Sequence, residues 1–291
     1  MPYSDFRNEP FTDFSKPDNL AAFSAALAAV QDTFGRDHGA WIDGEEVLDR
    51  PMLESRDPGD LDRLIGRYAQ CDADDAARAV VAAHRAFDTW RFVSAQERVD
   101  IFLRAAAMLR ERKHLFSAMM VFEAGKNWAE ADADTAECID FMDYYARQAR
   151  ALASPPPLTP VDGERNHLRY LPLGVGAVIP PWNFPLAIMA GMSSAALVSG
   201  NTVVLKPASP TPGIATMWVE LMYEAGLPRN TLHLVSGGGG TVGETMVNHP
   251  LTRFISFTGS REVGLHIFER SSRTQPGQVW MKRLVAEMGG K

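Results

Sequence analysis

Residues Gly174–Leu205 read GVGAVIPPWNFPLAIMAGMSSAALVSGNTVVL, and here the texture of the chain changes. Val175–Ile179 is short and apolar, as a buried strand requires. Pro180, Pro181 and Pro185 then break the run, and Pro185 suits the first turn of a helix, where its missing N–H costs nothing. The stretch Pro185–Val198 predicts a buried helix and Thr202–Leu205 a second buried strand. The prolines and Asn183 also argue against a membrane span. Leu171–Leu205 has no charged residue, but a spanning helix needs an unbroken apolar run of about 20 residues.

The alternation continues downstream. Strands are expected at Thr231–Val235, Arg253–Phe257 and Leu284–Glu287. Helices are expected at Pro212–Ala225, in a short piece after Gly243, and at Glu262–Arg270. Near-continuous apolar strands joined by crossover helices predict an α/β fold, with helices on both faces of a Rossmann-type parallel sheet.

The first half reads as helical. Ala21–Val30 is expected to form a helix after an Asp18 or Asn19 cap. Ala76, Ala79, Val80, Ala83 and Phe87 form one stripe within Asp72–Trp90. Ser94 and Glu97 make a capping box before the next helix, and Asn127–Arg150 forms a third. After the break at Ser154–Pro157, Leu158–Val161, the turn Asp162-Gly163 and His167–Leu171 predict a protruding β-hairpin. The expected organisation is therefore a helical part over 1–157, a hairpin over 158–172 and a dinucleotide-binding type of sheet over 173–291.

The 291 residues are 46% hydrophobic and 22% charged, an ordinary globular balance that excludes collagen, a disordered tail and a disulfide-stapled mini-protein. A net charge of −7 gives no bulk attraction to nucleic acid or to an anionic membrane. Cys71 and Cys138 cannot build a disulfide framework, which points to a reduced, cytoplasmic setting. The seven histidines lack metal-ligand spacing, and the polar Met1–Pro10 does not read as a targeting segment.

In an open α/β sheet, ligands sit beyond the carboxyl ends of the strands, and the unusual residues fall there. Asn183 either caps the helix it precedes or offers its amide to a developing oxyanion. Lys206 closes a strand as an escaping surface charge or as a ligand clamp. Phe257-Thr258-Gly259-Ser260 leads into a helix whose free N–H groups suit a phosphate. Glu287 is a candidate general base. Gly238–Gly243 fits the spacing of a dinucleotide fingerprint, but no acidic strand-end residue follows about 20 positions on, so it reads as a glycine-rich turn. Cys71 and Cys138 have no His neighbour and read as structural.

Pro181–Pro185, Lys206-Pro207-Ala208, Phe257-Thr258-Gly259-Ser260 with Gly264, and Glu287-Met288-Gly289-Gly290-Lys291 occur in the order of the aldehyde dehydrogenase superfamily, which the whole chain resembles. Phe6–Phe11, Gly125-Lys126-Asn127-Trp128 and Gln275–Trp280 resemble its 1-pyrroline-5-carboxylate dehydrogenase branch, which oxidises L-glutamate γ-semialdehyde to L-glutamate in proline degradation.

The resemblance implies NAD as cofactor. Pro181 and Trp182 would lie along the nicotinamide path, Lys206 would hold the adenosine ribose, and Gly259, Ser260 and Gly264 would serve the pyrophosphate helix. It also implies Asn183 as oxyanion donor, Glu287 as general base, and Glu137 with Phe184 along a substrate tunnel. Where the pattern places a ribose-binding glutamate, Ser209 stands, which implies that NADP is also accepted. A homo-oligomer and a proline dehydrogenase partner are further implications, and no metal is. The family's nucleophilic cysteine lies downstream of the Glu287 motif and matches neither Cys71 nor Cys138, so the expectation is a chain without its catalytic domain and inactive alone. Two other readings stay open: another semialdehyde dehydrogenase, such as one acting on succinate semialdehyde, and a non-catalytic dinucleotide-binding module.

Overall fold

A computed structural model describes residues 5–289. Gly290 and Lys291, at the end of the last motif, lie outside the described residues, as do the first four positions of the segment Met1–Pro10. In chain order the elements are α1 (Pro17–Gln31), β1 (Arg36–His38), β2 (Ala40–Ile42), β3 (Glu45–Val47), β4 (Met52–Asp57) and β5 (Asp60–Ala69). Next come α2 (Ala73–Trp90), α3 (Ala95–Glu111), α4 (Lys113–Ala124), α5 (Trp128–Ala153), β6 (Val175–Ile179) and α6 (Ala187–Val198). The chain continues with β7 (Thr202–Leu205), α7 (Pro212–Glu224), β8 (Leu232–Leu234), α8 (Glu244–Asn248), β9 (Thr252–Gly259), α9 (Arg261–Ser272) and β10 (Arg283–Met288).

The main sheet runs β10-β9-β6-β7-β8-β2-β3. Its first five strands are parallel, and β2 and β3 add an antiparallel edge. Counted in chain order, the parallel strands lie 5-4-1-2-3, the order of a dinucleotide-binding sheet. The order reverses between β6 and β9, where Ile179 pairs with Phe257. Alternate residues of β7 face different cores: Val203 and Leu205 join the large cluster with α3–α7, and Val204 joins α2 and α8 on the other face. The expected parallel sheet covered on both sides is the one observed.

The first half departs from its helical reading. Residues 36–69 are β-structure, with a separate sheet β1-β5-β4. These strands carry charged residues on an exposed face, so their apolar content is too thin to stand out. Two turns nevertheless mark them. Asp43-Gly44, with φ of 55° and 85°, joins β2 to β3, and Pro58-Gly59 joins β4 to β5. The helix α4 also escaped the sequence reading.

The caps explain most helix starts. Asp72 with Asp75 and Ser94 with Glu97 form capping boxes, and Asn127 accepts from the Glu130 N–H. The helix α1 differs from expectation: it starts at Pro17 after Lys16, and neither Asp18 nor Asn19 is its cap. The helix α7 has no cap side chain of its own. Instead the buried Glu123 carboxylate of α4 accepts the Gly213 and Ile214 N–H groups at 2.7 and 2.8 Å.

The hairpin also needs correction. The turn forms, with Gly163 at φ 82° and the Glu164 N–H bonded to the Val161 carbonyl. The flanks, Leu158–Val161 and His167–Leu171, form no strands and stay largely exposed. An isolated two-stranded ribbon is marginal in water, and no described strand borders this one.

Candidate functional site

A cleft of about 820 Å³ opens at the carboxyl end of the parallel sheet, at the point where strand order reverses. The end of β6 supplies Pro181, Trp182 and Asn183, and the end of β7 supplies Lys206. Gly259 and Ser260 enter from β9, and Glu287 from β10. Seven of the predicted site residues thus line one cavity. A second cavity of about 560 Å³, walled by Phe141, Tyr145, Met192 and Phe254, shares Ile188, Phe257, Thr258 and Glu287 with it. Glu287 therefore stands where a cofactor-sized cleft meets an apolar pocket.

Each lining residue has a local reason for its place. Lys206 is 6% exposed; its ammonium donates to the Pro207 carbonyl at 3.1 Å, and burial pushes its pKa down to about 8. Among the described contacts no carboxylate neutralises it, so a buried cation faces the cleft. Ser260 is the N-cap of α9, its Oγ accepting from the Val263 N–H at 3.3 Å, which leaves the remaining N–H groups of that helix start for a ligand. A Cβ on Gly264 would fall 2.5 Å from Met288 Sδ, so a side chain there would force the Met288 side chain to shift or α9 to move away from β10.

The glycine-rich segment is a turn, as read, but its placement was not anticipated. Gly239–Gly243 winds as a π-helical turn into α8, and Gly239, Gly240 and Gly243 line the cleft. A Cβ on Gly239 or Gly240 would meet nothing within 4 Å, so side chains there would project into the cleft, while one on Gly243 would lie 3.6 Å from the Lys206 side chain. Without an acidic strand-end partner, the turn contributes backbone alone.

Four predicted residues lie outside the cleft lining. Gly264 sits behind it. Ser209 is exposed just beyond the lining residue Ala208. Phe184 is 41% exposed and lies under the Lys126 ammonium, 4.2 Å from the ring centroid. Glu137 is on α5, with its carboxyl pKa raised by burial and by Asp134 nearby. Nothing in the sequence assigns a role to Lys126 or Asp134, although Lys126 lies within the branch-like Gly125-Lys126-Asn127-Trp128.

Other groups have no part in the cleft. Cys71 and Cys138 are buried, and burial raises both thiols, Cys71 to about 12, so neither is a thiolate near neutral pH. No described group of three or more His, Cys, Asp or Glu could hold a metal ion. No described helix is long and apolar enough to cross a membrane.

The model of the aldehyde dehydrogenase family matches residues 41–291. The 1-pyrroline-5-carboxylate dehydrogenase of Geobacillus thermodenitrificans is 53% identical over 286 residues, covering 98% of this chain and 56% of that protein. The enzyme of that name from Anoxybacillus flavithermus is 52% identical over the same coverage. The Thermus 1-pyrroline-5-carboxylate dehydrogenase solved with bound NAD superposes with a TM-score of 0.97 at 42% identity, over 100% of this chain and 57% of that one. Proline utilization A from Bdellovibrio bacteriovorus gives 0.96 at 39%, over 100% of this chain and 30% of its own. The chain spans about half the length of the curated relatives it matches.

Proposed function

This chain belongs to the aldehyde dehydrogenase family, and from that membership we propose that it carries the NAD-binding part of an enzyme oxidising L-glutamate γ-semialdehyde to L-glutamate. The observation that carries the reading is the single cleft that gathers Lys206, Ser260, Asn183 and Glu287 at the switch point of the sheet. The 53% identity to a 1-pyrroline-5-carboxylate dehydrogenase favours this substrate over other semialdehydes.

NAD, when bound, supplies the hydride acceptor. The residues of the chain supply the rest. Lys206 donates hydrogen bonds to the ribose, and the N-terminus of α9 presents backbone N–H groups to the pyrophosphate. Gly239, Gly240 and Gly243 leave room for the adenosine end. Asn183 donates its amide to the oxygen that gains charge when the aldehyde carbon becomes tetrahedral. Glu287 takes the proton from the water that releases the acid product. Neither buried cysteine reaches these groups, so the thiol that attacks the aldehyde comes from outside residues 1–291. Glu137 and Phe184 flank the route by which the aldehyde enters.

The setting follows the same reading. The unpaired, buried cysteines suit the reducing cytoplasm. Phe268, Trp280 and Met281, each more than 60% exposed, suit contacts in a homo-oligomer. A proline dehydrogenase is the natural partner, because oxidation of proline yields the pyrroline whose hydrolysis gives this aldehyde.

The test is turnover by the full-length protein with L-glutamate γ-semialdehyde and with succinate semialdehyde, following NADH. A higher kcat/KM for the glutamate-derived aldehyde is expected. A preference for succinate semialdehyde would overturn the substrate, and absence of NADH formation with either would overturn the enzyme reading.

A further inference from the structure

Asn183 can act only if its loop is held still, and the loop has few contacts of its own. Trp182, Asn183 and Phe184 are all exposed, and α6, which the loop enters, has no cap side chain from its own segment. Two contacts from another part of the chain fix it. The Ala187 N–H, at the first residue of α6, donates to Asp134 Oδ1 of α5 at 2.7 Å. The Phe184 ring lies 4.2 Å from the Lys126 ammonium. Lys126 also binds the other Asp134 oxygen, Oδ2, at 2.7 Å. Two residues that follow Asn183, Phe184 and Ala187, are thus tied to one ion pair, whose side chains are 9% and 0% exposed.

We propose that Lys126 is a positioning residue for the Asn183 loop, acting through the Phe184 ring and through the Asp134 carboxylate that caps α6. The consequence for turnover rests on the oxyanion role given to Asn183 above; the consequence for the loop does not. Without the cation, Asp134 is left as a buried carboxylate with one backbone partner, a state that burial opposes. The cap weakens and the ring loses its clamp. The loop end carrying Phe184 then samples other positions while the strand before it stays in the sheet.

The test pairs Lys126→Met with Lys126→Arg, and adds Phe184→Leu, a change at a 41% exposed site that leaves the core intact. Hydrogen exchange is followed by mass spectrometry in peptides over residues 182–190 and over the strands 175–179 and 202–205. The expected result for Lys126→Met is faster exchange at 182–190 with the strands still protected, and recovery with Lys126→Arg. Phe184→Leu is expected to give a smaller change confined to the same peptide. Uniformly faster exchange in loop and strands, or none in the loop, overturns the proposal, because either shows Lys126 to be a general stabiliser or dispensable. In the full-length enzyme Lys126→Met is expected to lower kcat tenfold or more with the KM for NAD within about twofold, and Lys126→Arg to restore most of it. Exchange confined to the loop with kcat unchanged would leave the clamp standing and remove the oxyanion role of Asn183. Inactivity of the unsubstituted enzyme would count against the functional reading alone.

Discussion

Gly264 of α9 lies against Met288 of β10, so closely that a Cβ at position 264 would sit 2.5 Å from the Met288 sulfur and 3.2 Å from the Phe257 ring. The contact joins the helix proposed to bear the pyrophosphate to the strand that presents Glu287, one residue before Met288. A larger residue at 264 must displace the Met288 side chain or shift one of the two elements. Gly264→Val is therefore expected to cost about 1–3 kcal/mol of stability through overpacking and to weaken NAD binding. A thermal melt and an NAD titration check it; unchanged values in both would show that the two elements do not depend on each other.

Asn183 is exposed at the cleft, and its amide is free of any described bond to the helix it precedes. Loss of one oxyanion donor lowers turnover by about 10²–10³. Asn183→Ala in the full-length enzyme is expected to do so while NAD affinity stays near its original value. Loss of affinity with kcat retained would mean that the side chain shapes the cofactor site instead.

Ser209 is neutral and exposed beside the lining residue Ala208. A carboxylate there would accept from a ribose hydroxyl and repel a 2′-phosphate. The proposal is that both NAD and NADP bind, and that Ser209→Glu lowers NADP affinity more than NAD affinity. Competition titrations with the two cofactors measure the ratio, and an equal effect on both would place Ser209 away from the ribose.

His233, in the buried strand β8, accepts from the Asp43 N–H at Nδ1 and contacts the Asn230 carbonyl through Nε2, both at 3.0 Å. These contacts suit a neutral ring with its proton on Nε2. Burial lowers its pKa from 6.5 to about 4. The unfolded chain takes up the proton first as pH falls, so the contribution is complete above about 6.5 and is lost on going down through about 4, a total of about 3 kcal/mol. Denaturant midpoints measured across that range should fall with pH, and fall less in His233→Gln. Parallel profiles for the two proteins would remove His233 as the cause.

The parallel half of the fold was legible because its strands are buried on both faces and carry almost nothing but apolar residues, as in Val175–Ile179 and Thr202–Leu205. The strands β4 and β5 were not: with Glu54, Arg56 and Asp62 facing solvent, the buried positions of β4 are Ser55 and Asp57, so no apolar alternation is left to read. At the site, Lys206 and Asn183 could be found because each follows the carboxyl end of a parallel strand, where topology puts ligands. Lys126 and Asp134 could not, since a cation before a helix and an acid nearly two turns inside it look like surface charge until the fold buries them together. Gly239–Gly243 was judged by the acidic partner it lacks, whereas its backbone borders the cleft. The segment Leu158–Leu171 has the alternation of a hairpin, but alternation specifies a ribbon only where another strand completes it.

Calorimetric titration of residues 1–291 with NAD asks whether the cleft around Lys206 binds the cofactor. Saturable binding at one site is expected. Lys206→Met should weaken it by about tenfold or more, the loss of a hydrogen bond from a charged donor. Anionic cofactor favours the charged form of Lys206, whose pKa is about 8 in the free chain. Affinity should therefore be level below that pH and decline above it, and the decline should vanish in Lys206→Met. Absence of binding, or binding indifferent to Lys206, would contradict the account.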